Sequence, residues 1–227
     1  MTTLKKGNDR TVLSKPAHQY LVTQADKQLI SEINWRVISN GVTDVSSREF
    51  QYVLKHQKEF EAITSPRRVE RKITNIVTEL LQPYTENLDT INYYKKRQIA
   101  QSIHLQKIDS LIFSYDILIA ERAENWSAYK KATIESVEKY MWENPTLLKV
   151  VAQNYLIHVN DTKSLKEAIN WTKRSLELQD SYDGNLLISK LYLKSKDKNS
   201  AIKYARISKD ICVSMGWDLK DINQLFV

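Results

Sequence analysis

The sequence predicts an all-α fold of about ten antiparallel helices, arranged as an α-α superhelix at least in the C-terminal half. Three observations predict it. Apolar residues recur at helical spacing along most of the chain, as in Ile108, Leu111, Ile112, Tyr115, Leu118 and Ile119. Only four Gly and four Pro punctuate 227 residues, too few for the turns that a β-sandwich or barrel needs every ~8–12 residues. Finally, residues 168–175, AINWTKRS, return 33 positions later as AIKYARIS, pairing Ala168 with Ala201, Trp171 with Tyr204 and Ser175 with Ser208.

Residues 1–24 carry Gly7, Pro16 and few periodic apolar positions, and read as a flexible lead or linker remnant. A helical domain is expected over 25–227. Its first stripe, Leu29, Ile30, Ile33, Val37 and Ile38, stops at Asn40-Gly41, a C-terminal signal. Ser46-Ser47-Arg48-Glu49 supplies a capping box for a second helix with Phe50, Val53, Leu54 and Phe60 on its apolar face. Ser65-Pro66 opens a third, since proline suits the first helical position, and Pro83 is expected to stop it. Asp89 caps a fourth, the stripe 108–119 forms a fifth, and Asn125 opens a sixth that ends before Asn144-Pro145. Further helices are expected over 145–159, 162–178, 183–195 and 198–215, with a terminal helix over 218–226. No low-complexity tract or long linker interrupts them, so one continuous helical body is expected.

The charged fraction of 27% and apolar fraction of 42% suit a globular chain and not a disordered one. The 34 Lys and Arg exceed the 27 Asp and Glu by 7, enough to favour anionic partners, although the excess is scattered. A single cysteine, Cys212, excludes an intramolecular disulfide and any C-x-x-C pair, and its neighbours Ile207, Ile211 and Met215 place it on a buried stripe. His18, His56, His104 and His158 stand apart, without metal-ligand spacing. There is no Gly-rich phosphate loop, nucleophile elbow or apolar run of ~20 residues. No catalytic residue, metal site, cofactor or membrane span is therefore expected.

A period near 34 built of helix, turn and helix resembles the tetratricopeptide array, in which each unit buries its apolar face by stacking on the next. Ile188, Ser189, Tyr192 and Ala201 take the unit's Leu, small, Tyr and Ala positions, and Val151, Ala152 and Tyr155 do so one unit earlier. Two such units are expected over 145–215, with 26–143 a helical bundle or degenerate repeats. The stretches VTDVSSREFQYVLKHQKEFEA, AENWSAYKKATIESVEKYMWENP and the Ala168/Trp171 to Ala201/Tyr204 tandem also resemble the helical region that follows the thioredoxin fold in a group of thioredoxin-like proteins of Bacteroidetes. The resemblance covers residues 28–215 and implies an accessory module. The C-x-x-C pair of that family has no counterpart here, so its activity does not carry over.

The expected function is a non-catalytic helical interaction or structural module that positions a protein or peptide partner. The alternative is a fragment of a thiol-disulfide oxidoreductase whose catalytic domain is absent. The compartment follows the choice: cytoplasmic if Met1 is the true start, exported if the chain belongs to a thioredoxin-like precursor. Two surfaces are candidates for binding. Leu186, Lys190, Leu193 and Lys194 lie on the first helix of the last unit, where an array presents its concave groove to a peptide. Arg67, Arg68, Arg71 and Lys72 form a basic patch on the third helix, and Lys95, Lys96 and Arg97 a second cluster beside Tyr93 and Tyr94. Basic side chains near aromatics suit nucleic acid or an anionic surface, a weaker alternative because no recognised nucleic-acid motif accompanies them.

Overall fold

The structure, a computed structural model, describes residues 11–218. Among these it contains twelve α-helices, one 3-10 turn over Asp26–Leu29 and no strand. The helices are α1 (Thr11–Leu21), α2 (Glu32–Gly41), α3 (Arg48–Lys55), α4 (Gln57–Ile63), α5 (Pro66–Glu86), α6 (Thr90–Gln101), α7 (Gln106–Arg122), α8 (Trp126–Tyr140), α9 (Pro145–His158), α10 (Thr162–Leu178), α11 (Tyr182–Lys194) and α12 (Lys198–Ser214). Most pack against their sequence neighbours, consistent with a helical-repeat arrangement. The expected terminal helix over 218–226 lies outside the described residues apart from Asp218.

The chain divides into two compact units, with the boundary after Ile119. No linker marks it in the sequence because it falls inside α7.

In the first unit, the polar lead proves to be structured from Thr11 onward. Ala17 and Leu21 of α1 are buried, and Pro16 is accommodated within the helix. Arg48 donates from Nη2 to the Leu21 carbonyl at 2.8 Å and to that of Gln24 at 3.2 Å, tying the end of α1 and the turn after it to α3. Gly41 lets α1 and α2 touch: a Cβ there would stand 2.2 Å from the Cβ of Ala17. Its value is thus close approach, and not the left-handed conformation that a glycine after a helix usually supplies.

Ser31, Ser47, Ser65 and Asp89 cap α2, α3, α5 and α6 through side-chain oxygens that accept backbone N–H bonds. The expected second helix is broken at His56 into α3 and α4, which share that residue as C-cap and N-cap. Pro83 does not stop α5, which runs on to Glu86. A proline removes one intrahelical bond, and the buried Leu81 and Thr85 on either side hold the last turn in place. Tyr93 and Arg97 of α6 converge on Asp116 of α7: the Tyr93 hydroxyl donates to Oδ1 at 2.8 Å, and Arg97 binds both carboxylate oxygens. Phe50, Phe60, Ile73, Ile76 and Tyr93 fill the core of this unit.

In the second unit the sequence echo is a packing echo. Tyr155 of α9 meets Trp171 of α10 edge-on with ring centroids 4.9 Å apart, and Tyr192 of α11 stacks on Tyr204 of α12 at 5.7 Å. Ser175 donates to the carbonyl of Pro145 at 2.8 Å, and Ser208 to that of Tyr182 at 3.2 Å, each acceptor being the first residue of the preceding helix. Ala152, Ala168, Ser189 and Ala201 are fully buried, which lets the paired helices approach closely. Cys212 is buried here, with its thiol donating to the carbonyl of Asp218 at 3.2 Å.

Candidate functional site

The basic patch is only partly a patch. On α5, Arg68, Arg71, Lys72 and Asn75 fall at spacings of three, four and seven residues and share one face, while Val69, Ile73, Ile76 and Val77 point into the core. The shared face looks onto α2, where Arg36, Ser39 and Asn40 occupy the corresponding face. Together with Trp35 these residues enclose a cleft of about 360 Å³. Arg67, one residue off the face, is exposed and does not line it.

Lys72 is the anchor of the cleft and is 6% exposed. Its ammonium donates to the Ser39 carbonyl at 3.0 Å and to that of Val42, the C-cap of α2. These contacts oppose the partial negative charge with which a helix ends and fix the Lys72 amine in the cleft wall. Arg36, Arg68 and Arg71 are exposed and have no ion-pair partner among the described residues. No carboxylate lines the cleft, and the one acid between the two arginines of α5, Glu70, points away to Lys107 at 2.9 Å. Three guanidiniums, with Lys72 in the wall behind them, therefore face one concave space with no acid among its described lining residues.

Arg36 was missed by the sequence reading. It stands 32 positions before Arg68, and only the packing of α2 on α5 unites them. The other basic cluster is dispersed by folding. Arg97 is held by Asp116, whose hydrogen bonds raise the guanidinium's pKa above its ordinary value, while Lys95 lies elsewhere on the exposed surface of α6.

The groove residues Leu186, Lys190, Leu193 and Lys194 do lie along one face of α11 and are half-buried. Lys194, however, donates to the carbonyl of Leu156 at 2.6 Å, tying α11 to the last turn of α9. Lys149 of α9 reaches Ser181 Oγ at 3.5 Å. Lys190, on the same face, has no ion-pair partner among the described residues.

A second cleft, of about 330 Å³, is walled by His18, Val22, Gly41, Asp44, Arg48 and Glu49. Its acids are engaged: Asp44 accepts from the Ser46 N–H at 2.8 Å, and buried Glu49 lies 3.4 Å from Arg48. No group of three or more His, Cys, Asp or Glu suited to a metal occurs among the described residues, and no helix there is long and apolar enough to cross a membrane.

Comparison of the chain with models of protein families, with curated proteins and with solved structures found no match.

Proposed function

We propose that the chain is a non-catalytic helical interaction module that holds an acidic segment of a protein partner in the cleft between α2 and α5. The observation that carries this reading is the set of three guanidiniums without an ion-pair partner, and one buried lysine, around a space that no carboxylate lines among the described residues. Holding these cations together costs electrostatic energy that an anion would relieve. Ligand sites usually measure about 300–1,000 Å³, so a cleft of about 360 Å³ has room for a side chain or two of a partner. The module would serve as an accessory region of the kind that follows a thioredoxin fold, as the sequence resemblance suggests, positioning that domain or its client.

A fluorescein-labelled peptide rich in Asp and Glu tests the reading by fluorescence anisotropy at ~0.15 M salt. Wild type should bind it, R36E/R71E should not, and K190E should match wild type. A peptide that stays free, or one released by K190E and kept by R36E/R71E, would show that the cleft is not the binding site.

A further inference from the structure

Resting on that reading, we propose that the acidic group held in the cleft is a phosphomonoester on the partner's chain, a phosphoserine or phosphothreonine, in preference to a carboxylate.

Charge is the first argument. Arg36, Arg68 and Arg71 bring three guanidinium charges to one space, beside a Lys72 whose amine is committed to the end of α2. A carboxylate returns one negative charge, whereas a phosphomonoester carries ~1.5–2 at pH 7. Geometry is the second. A guanidinium offers a planar fork that matches two oxygens at once, and a phosphoryl group presents three terminal oxygens in a tetrahedral fan. Arg68 and Arg71 approach from α5 and Arg36 from α2, so the forks come from two walls, which suits a tetrahedral anion better than a flat one. Ser39 and Asn75 add neutral polar groups on those same walls.

The site is also a poor match to a nucleic-acid strand. A single concave space offers no track for successive phosphates, and its aromatic member, Trp35, is 5% exposed and so presents no face for a base to stack on. Lys72 is committed to the end of α2, which makes it a fixed source of field and leaves the three arginines to make direct contacts.

The test uses three peptides of one sequence carrying phosphoserine, glutamate or serine at the central position, together with inorganic phosphate and a single-stranded oligonucleotide of matched charge. Binding is followed by titration calorimetry and by thermal shift. The phosphopeptide should bind at least tenfold more tightly than the glutamate peptide, lose that advantage in R68Q/R71Q, and keep it in R67Q. Arg68 and Arg71 are exposed and without ion pairs among the described residues, so R68Q/R71Q should melt with wild type, which separates loss of binding from loss of fold. Equal affinity for the phosphoserine and glutamate peptides would overturn the phosphate assignment and leave the acidic-segment reading intact. Failure of both peptides would overturn both. Inorganic phosphate as tight as the phosphopeptide, or the oligonucleotide tighter than it, would overturn the assignment to a partner's phosphorylated segment.

Discussion

Replacing Gly41 with alanine should destabilise the protein, although helix propensity alone predicts the reverse. Gly41 is the last residue of α2, and exchanging Gly for Ala inside a helix ordinarily gains ~0.5–1 kcal/mol by restricting the unfolded chain. Here the new methyl would lie 2.2 Å from the Cβ of Ala17 and 3.0 Å from the carbonyl oxygen of Leu13. Carbon atoms settle ~3.5–4.0 Å apart, so α1 must retreat by about 1.5 Å or undock. Overpacking of this kind costs ~1–3 kcal/mol. Undocking sets a ceiling of similar size, because it would expose Leu21, which is fully buried, at ~1.5–3 kcal/mol. Subtracting the propensity gain from the middle of that range leaves a net loss of about 1 kcal/mol.

Urea unfolding of G41A, A17G and G41A/A17G measures this directly. A17G restores the space that G41A consumes, so the double variant should be more stable than the sum of the singles predicts, by about 1 kcal/mol or more. Faster hydrogen exchange in α1 of G41A, relieved in the double variant, would locate the strain. A G41A protein as stable as wild type, or a cycle with no coupling, would refute the close approach of α1 and α2.

Three further outcomes are expected. Lys72→Met should cost ~1–3 kcal/mol in urea unfolding, because it strips the Ser39 and Val42 carbonyls of a buried donor, and an unchanged midpoint would contradict its role at the end of α2. Burial raises the phenols of Tyr93 and Tyr155 and pushes Tyr129 up to about 12, so their unfolded forms lose protons first. Stability should thus be complete below pH ~10 and fall above it by up to ~1.4 kcal/mol per pH unit for each tyrosine, with Tyr129→Phe making the fall shallower. Hydrogen bonds from Ser164 and then Lys130 hold the Asp161 carboxyl well below its ordinary range, so its contribution is present above pH ~4 and lost as acid is added. Asp161→Asn, which keeps a capping oxygen, should flatten that part of the acid limb in a stability–pH series, and an unchanged limb would show the carboxylate to be uninvolved.

Helix starts were legible because their determinants are local. Ser47, Ser65, Asp89 and Asn125 each cap a backbone N–H three residues on, and a capping oxygen followed by an apolar stripe is visible in a short window. The tandem of Ala168, Trp171 and Ser175 was legible for the same reason. Elements decided by distant partners were not. The apolar residues of α1 are interrupted by Lys15, Pro16 and His18, and its docking depends on Gly41 and on Arg48, 27 residues beyond the Leu21 carbonyl that it binds. The break at His56 interrupts an apolar stripe that runs on from Phe50 to Phe60, so periodicity gave no sign of it. Of the site, the α5 residues were visible as a cluster, while Arg36 could be joined to them only by the packing of two helices far apart in sequence.

The scattered positive charge of the chain sorts by what it faces. Arg48, Lys72, Arg174 and Lys194 each donate to backbone carbonyls at or just beyond the C-terminal end of another helix, at Leu21, Val42, Trp142 and Leu156. There they satisfy acceptors that a helix cannot satisfy itself and oppose the negative end of its dipole. Charge used in this way is structural, and Lys194, chosen from sequence as a groove residue, belongs to this set. Arg36, Arg68 and Arg71 do not: they meet neither a carbonyl nor a carboxylate among the described bonds, yet they share a cleft. A cation that completes a helix end should cost stability when removed. One that only lines a cleft should cost binding instead, so Lys72 and the Arg68/Arg71 pair, side by side on one face of α5, should separate the two effects.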